Sequence, residues 1–133
     1  MENNSKDQQA IEKVLKDLYF KGIYEGDTSL LRQAFHESTL LFGDVNGQPY
    51  AKTLDRYLEG VAGRVSPQNS GKPFKATILA IDVINSIATA KLNVQMYDFN
   101  YFNFLTLHQI DGRWLIISKT LTDVRQGAGG QEG

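Results

Sequence analysis

Cysteine is absent from this chain of 133 residues. That absence excludes a disulfide framework, a zinc–thiolate site, an iron–sulfur cluster and a cysteine nucleophile. An excess of one charge is also missing, since 14 Lys and Arg face 15 Asp and Glu for a net charge of −1. Nothing therefore attracts nucleic acid or an anionic membrane in a general way, and neither is expected as a partner. Long hydrophobic runs are missing too: the longest span a few residues, against the roughly 20 needed to cross a bilayer. The start, Met1 to Asp7, has no apolar stretch behind a basic end, so a secretory signal is not expected and a cytoplasmic protein is. With two histidines in all, and neither a His-Glu-x-x-His nor a His-x-His pattern, no metal site is expected, and no cofactor.

What is present is ordinary globular composition, 41% hydrophobic and 22% charged, at a length suited to one domain with a real core. Residues 1–6 are expected as a flexible N-terminus, 7–124 as the domain, and 125–133 as a Gly-rich disordered tail. In the first half, Ile11, Val14, Leu15, Leu18 and Tyr19 fall on one helical stripe. Gly26-Asp27 breaks it, and Asp27 or Thr28 can cap a short second helix burying Leu30, Leu31, Ala34 and Phe35. Leu54, Tyr57, Leu58, Val61 and Ala62 make a third stripe, with Thr53 placed to cap. Between them, the apolar run Thr39 to Phe42 leads to Asn46-Gly47, a strong hairpin signal. The segment from Ser66 to Pro73 reads as an extended loop.

The second half reads as strands over Phe74 to Ile84, Ile87 to Tyr97, Tyr101 to Ile110 and Arg113 to Thr122. Asn85-Ser86 and Asp111-Gly112 make tight turns, and Asp98 to Asn100 a slightly longer one. Alternation places Phe102, Phe104, Thr106, His108 and Ile110 on one face, and Asn103, Leu105, Leu107 and Gln109 on the other. On the last strand, Leu115, Ile117, Lys119 and Leu121 should oppose Trp114, Ile116, Ser118 and Thr120. Both faces are substantially apolar, so helices should cover one and a partner chain the other. The class is α+β, three N-terminal helices on a curved, mainly antiparallel sheet.

Tyr19 with Gly26-Asp27, then Leu31, Ala34-Phe35-His36, and Asp111-Gly112-Arg113-Trp114 before the last strand resemble the nuclear-transport-factor-2-like (NTF2-like) superfamily. The likeness spans about residues 7 to 122. Within it, Phe35-His36-Glu37, Leu41-Phe42-Gly43, Leu105 to His108 and Ile117 to Thr120 are similar to a bacterial group described as putative lumazine-binding. The resemblance implies a cone-shaped cavity between sheet and helices, and a homodimer through the outer sheet face. It also places Tyr19 where ketosteroid isomerase has its oxyanion-stabilising tyrosine. At the isomerase's catalytic aspartate it finds Gly43, with Asp44 one step on, and at the assisting acid Thr106. A one-residue step turns a side chain to the opposite face, so Asp44 is no substitute and that isomerisation is not expected.

The candidates for lining the cavity are Tyr19, His36, Phe42, Tyr57, Phe104, Thr106, His108 and Lys119. Each also has a plain structural reading. Tyr19 can be the polar tip of a core stripe, and His36 can sit on helix-end carbonyls. His108 can be a half-buried sheet residue, and Lys119 an outward cation whose stem covers the sheet. Placed in the cavity, Lys119 could instead hold an anion. The expected function is binding of a small, largely apolar or aromatic molecule. Its alternative is a cofactor-free dehydratase, isomerase or polyketide-cyclase-like enzyme using Tyr19 with His36 or His108. An interaction adaptor is a third reading, and needs an exposed apolar patch beyond the dimer face.

Overall fold

The computed structural model describes residues 2–124, so the tail expected from 125 onward lies outside the described residues. The first apolar stripe builds one continuous helical rod. It runs as α1 (Glu2–Lys13), a π-helical stretch (Val14–Phe20) and α2 (Lys21–Glu25), with right-handed helical backbone at both junctions. Ile11, Leu15, Tyr19 and Ile23 recur every four residues and are all buried. A helix of 3.6 residues per turn drifts off such a line, and the wider π turns hold it. Gly26 ends the rod in the left-handed conformation at φ 69°, which glycine adopts without penalty. Asp27 then caps α3 (Thr28–Ala34), its carboxylate accepting from the Ser29 and Leu30 N–H groups at 3.0 and 3.3 Å.

Thr53 caps α4 (Leu54–Gly63), which buries Leu54, Tyr57, Leu58 and Val61 and leaves Ala62 exposed. The segment read as an extended loop instead holds a single helical turn, α5 (Pro67–Ser70). Ser66 caps it by accepting from Asn69 N–H at 3.1 Å, and Pro67 supplies a preset first residue.

Six strands follow the helices or interrupt them: β1 (Phe35–Val45), β2 (Gln48–Thr53), β3 (Phe74–Ile84), β4 (Ile87–Met96), β5 (Phe99–Ile110) and β6 (Arg113–Asp123). They form one open sheet in the order β2-β1-β6-β5-β4-β3, antiparallel except for the β1–β6 pair. Asn46-Gly47 and Asp111-Gly112 take positive φ at both positions, as a type I′ hairpin requires. The turn expected over Asp98 to Asn100 is shorter and earlier. Tyr97 adopts φ 54°, and Met96 already pairs with Phe99 across Tyr97-Asp98. Among the described residues no helix is long and apolar enough to cross a membrane.

The helices cover one face of this sheet, where Leu92, Val94, Leu105, Leu107, Trp114 and Ile116 are buried. The opposite, outer face is open. The expected split of β6 into two faces is corrected by a bulge. Thr106 pairs with Ser118 and Leu107 with Ile116, which leaves Ile117 without an opposite residue. One extra residue inverts the alternation beyond it. Lys119 and Leu121 therefore join Trp114 and Ile116 on the helix side, while Ser118, Thr120 and Thr122 follow the outer one. Across the bulge β1 is irregular too, and the Thr39 hydroxyl, 2.7 Å from His36 O and 2.8 Å from Ile116 O, ties the kink to β6.

Candidate functional site

The bulge delivers Lys119 into a cavity of about 130 Å³ between the helical rod, α4 and the sheet. Tyr19 reaches it from the π-helical stretch, Tyr57 from α4, and Arg64 from just past the end of α4. Tyr50 and Lys52 come from β2, and Asn103 from β5. Its described lining therefore holds three cations and no carboxylate.

Lys119 is 6% exposed. Its Nζ lies 4.7 Å from the centre of the Tyr57 ring and 5.2 Å from that of Tyr19, so two electron-rich faces take the place of an anion. Burial, and secondarily the charge of Arg64, push its amine down to about 7. Burial pushes the Tyr19 and Tyr57 hydroxyls up, so both stay protonated donors at neutral pH. Arg64 lies 5.6 Å from the Tyr97 ring, and its Nε and Nη2 are buried with no hydrogen-bond partner among the described residues. Asn103 Nδ2 donates to Tyr19 Oη at 3.2 Å, while Asn103 Oδ1 is buried with no hydrogen-bond partner among the described residues. Whichever way that amide is turned, one of its ends is satisfied by Tyr19 and the other is left over.

Of the residues expected in a shared site, Tyr19, Tyr57 and Lys119 meet here. The others lie elsewhere. His108 and Thr106 sit on the outer face of β5, opposite to Tyr19, because Leu105 and Leu107 take the helix side. Phe104 and Phe42 point outward as well, 60% and 52% exposed. His36 stays in the β1 kink, where its Nδ1 accepts from the Ser38 N–H at 3.0 Å. The polar partner of Tyr19 is thus Asn103, and not Thr106. At Gly43 an added Cβ would fall 1.7 Å from Leu121 O, and Asp44 turns outward to accept from the Thr122 hydroxyl at 2.6 Å. No catalytic carboxylate occupies the isomerase position. Among the described residues, no group of three or more His, Cys, Asp or Glu is placed to hold a metal ion.

Arg64, Asn103, Tyr50 and Lys52 were not singled out from the sequence. Asn103 carried a usable signal, as a polar residue on the face it shares with Leu105 and Leu107. Arg64 carried none, since only the path of the chain after α4 turns it inward.

This architecture recurs in solved structures. An NTF2-like protein of unknown function from Shewanella baltica superposes with a TM-score of 0.79 at 24% identity, covering 90% of this chain and 94% of its own. One from Silicibacter pomeroyi gives 0.80 at 18%, covering 90% and 98%. A protein described as a putative scytalone dehydratase, from Novosphingobium aromaticivorans, gives 0.69 at 18%, covering 92% and 87%. Among curated proteins, no relative matches this sequence. A family model does match, over residues 6–122, and the chain accordingly belongs to the NTF2-like family described as putative lumazine-binding.

Proposed function

We propose that the protein binds a small, flat, anionic molecule in the cavity, with Arg64 as the anion's partner and the tyrosine rings as walls. The carrying observation is that two nitrogens of Arg64, Nε and Nη2, are buried with no hydrogen-bond partner among the described residues, in a described lining that contains no carboxylate. Buried N–H donors left without an acceptor are costly, and a bound carboxylate would supply acceptors for both. The Tyr19 and Tyr57 rings suit an aromatic body, and the free end of the Asn103 amide offers one directional hydrogen bond. The family's description names lumazine, itself a flat heteroaromatic ring system, which supports the same class of ligand.

Titration with benzoate, benzyl alcohol and lumazine, followed by calorimetry, tests this reading. Benzoate should bind at least about tenfold more tightly than benzyl alcohol, and Arg64→Gln should erase that difference. Equal affinity for the two, or no binding of any of the three, would refute it. The enzyme alternative built on His36 or His108 draws no support from this cavity, whose described lining contains neither histidine. The outer face carries a separate proposal. Ile84, Ile87, Phe42 and Phe104 expose apolar surface there, and a second copy of the chain would cover it as a homodimer.

A further inference from the structure

Anion binding accounts for Arg64 and leaves Lys119 without a task. Lys119 lies deep in the cavity, held against two ring faces, with no ion-pair partner among the described residues. A lysine recruited for charge alone would ordinarily sit near the mouth, where its ammonium keeps its water. A desolvated amine beside a second cation is the arrangement that turns lysine into a nucleophile toward carbonyl carbon.

We propose that Lys119 captures a small carbonyl compound bearing a carboxylate, of the α-keto acid class, as an imine, while Arg64 holds the carboxylate. The proposal rests on the anion-site reading for Arg64 and adds a covalent role for its neighbour. The depressed basicity of the amine supports it, since burial favours the form with a free lone pair near neutral pH. In the addition step, Nζ bonds to the carbonyl carbon and the carbonyl π pair moves to oxygen. Both Nζ hydrogens then leave with that oxygen as water while the carbon–oxygen bond breaks and the carbon–nitrogen double bond forms. No oxidant, reductant or metal enters the balance. Tyr19 and Tyr57 stay protonated, so they add no anion that would return the amine to its ammonium form. Arg64 and the more exposed Lys52 are the other charged groups lining the cavity, and the charge of Arg64 favours the neutral amine.

The test is to incubate the protein with pyruvate at pH 7, add sodium borohydride as hydride donor, and map the reduced adduct by peptide mass spectrometry. Labelling at Lys119 should exceed that at any surface lysine by at least about tenfold, because surface amines remain almost wholly protonated. Acetone, lacking the carboxylate, should label Lys119 several-fold less. Lys119→Met should lose the adduct, and the map on the unaltered protein decides the matter even if that variant fails to fold. Adducts confined to exposed lysines, or no adduct at all, would overturn the proposal. Benzoate binding without a Lys119 adduct overturns the imine and leaves the anion site standing. A Lys119 adduct without benzoate binding supports the reactive amine and overturns the anion site.

Discussion

The same strands of this sheet present two faces that treat polar residues in opposite ways. On the helix side, Asn103 and Lys119 are enclosed among leucines and tyrosines, and Asn103 Oδ1 has no hydrogen-bond partner among the described residues. On the outer side, Thr106, His108, Thr120 and Asp44 keep access to water, and the large apolar groups are the ones left exposed. A polar atom costs little at an open surface and a great deal in a closed one. The informative residues are therefore the few polar ones on the covered face. The histidines draw attention by their chemistry alone, and they stand outside it.

The backbone of β1 serves both faces, with Leu41 buried beneath the helices and Leu40 and Phe42 on the outside. Gly43 is where that backbone runs so close to β6 that a Cβ would meet Leu121 O at 1.7 Å. Gly43→Ala should therefore break both faces together, with a stability loss of more than about 3 kcal/mol in chemical denaturation. A loss below about 1 kcal/mol would show that β1 and β6 can part locally without cost to the fold.

Lys119→Met sharpens the contrast by removing the buried cation from the covered face. The drop of its amine from 10.5 to about 7 corresponds to about 4–5 kcal/mol of unfavourable burial. The variant should then be more stable at pH 7 by about 1–4 kcal/mol, the usual direction when a functional polar group leaves a core. The folded-state value lies below the unfolded one, so between about 7 and 10.5 the unfolded chain holds the extra proton and stability rises with pH. Above about pH 10 the trend reverses, since Tyr19 and Tyr57 are raised when folded and ionise first in the unfolded chain. Thermal melts across pH should show that rise in the natural sequence and lose it in Lys119→Met. A profile in the natural sequence that does not rise between pH 7 and 10 would contradict the buried amine.

Phe104→Asp addresses the outer face alone. If two copies pack there, sedimentation of the natural sequence should give twice 14.9 kDa, and the aspartate should weaken association at least about tenfold. Benzoate affinity should not change, because Phe104 points away from the cavity. A coupled loss of both would mean that the two faces are not independent.

Most of the architecture was legible because local signals agreed with the fold. The Asp27 and Thr53 caps, the Asn46-Gly47 turn and the β3 boundaries stand where their residue types put them. The site was less legible, for two physical reasons. Alternation counts residues in twos, and the single extra residue at Ile117 inverted the count just before Lys119. Alternation also cannot say which apolar face the helices choose, and β5 offered aromatics on one side and leucines on the other. Tyr19 was found because a helical stripe points at the core whatever the sheet does. Arg64 was out of reach because it follows α4 in a segment whose path depends on the α5 turn and on the Tyr97 hydroxyl bonding to Val65 O.

His108→Leu is the most discriminating change, because it should do the least to the cavity. The imidazole lies half-buried on the outer face, opposite Leu115 and Ile87 in the strand register, where leucine fits among apolar neighbours. Ligand affinity should stay within about 0.5 kcal/mol of the natural protein, as for surface changes away from special contacts. Any pH dependence of anion binding near neutrality should survive as well. It belongs to Lys119, whose amine is the cavity group pushed down to about 7. An affinity that loses its pH dependence in His108→Leu but keeps it in Lys119→Met would reverse the assignment of the two faces. It would place the titrating group on the outer face and empty the enclosed one of its chemistry.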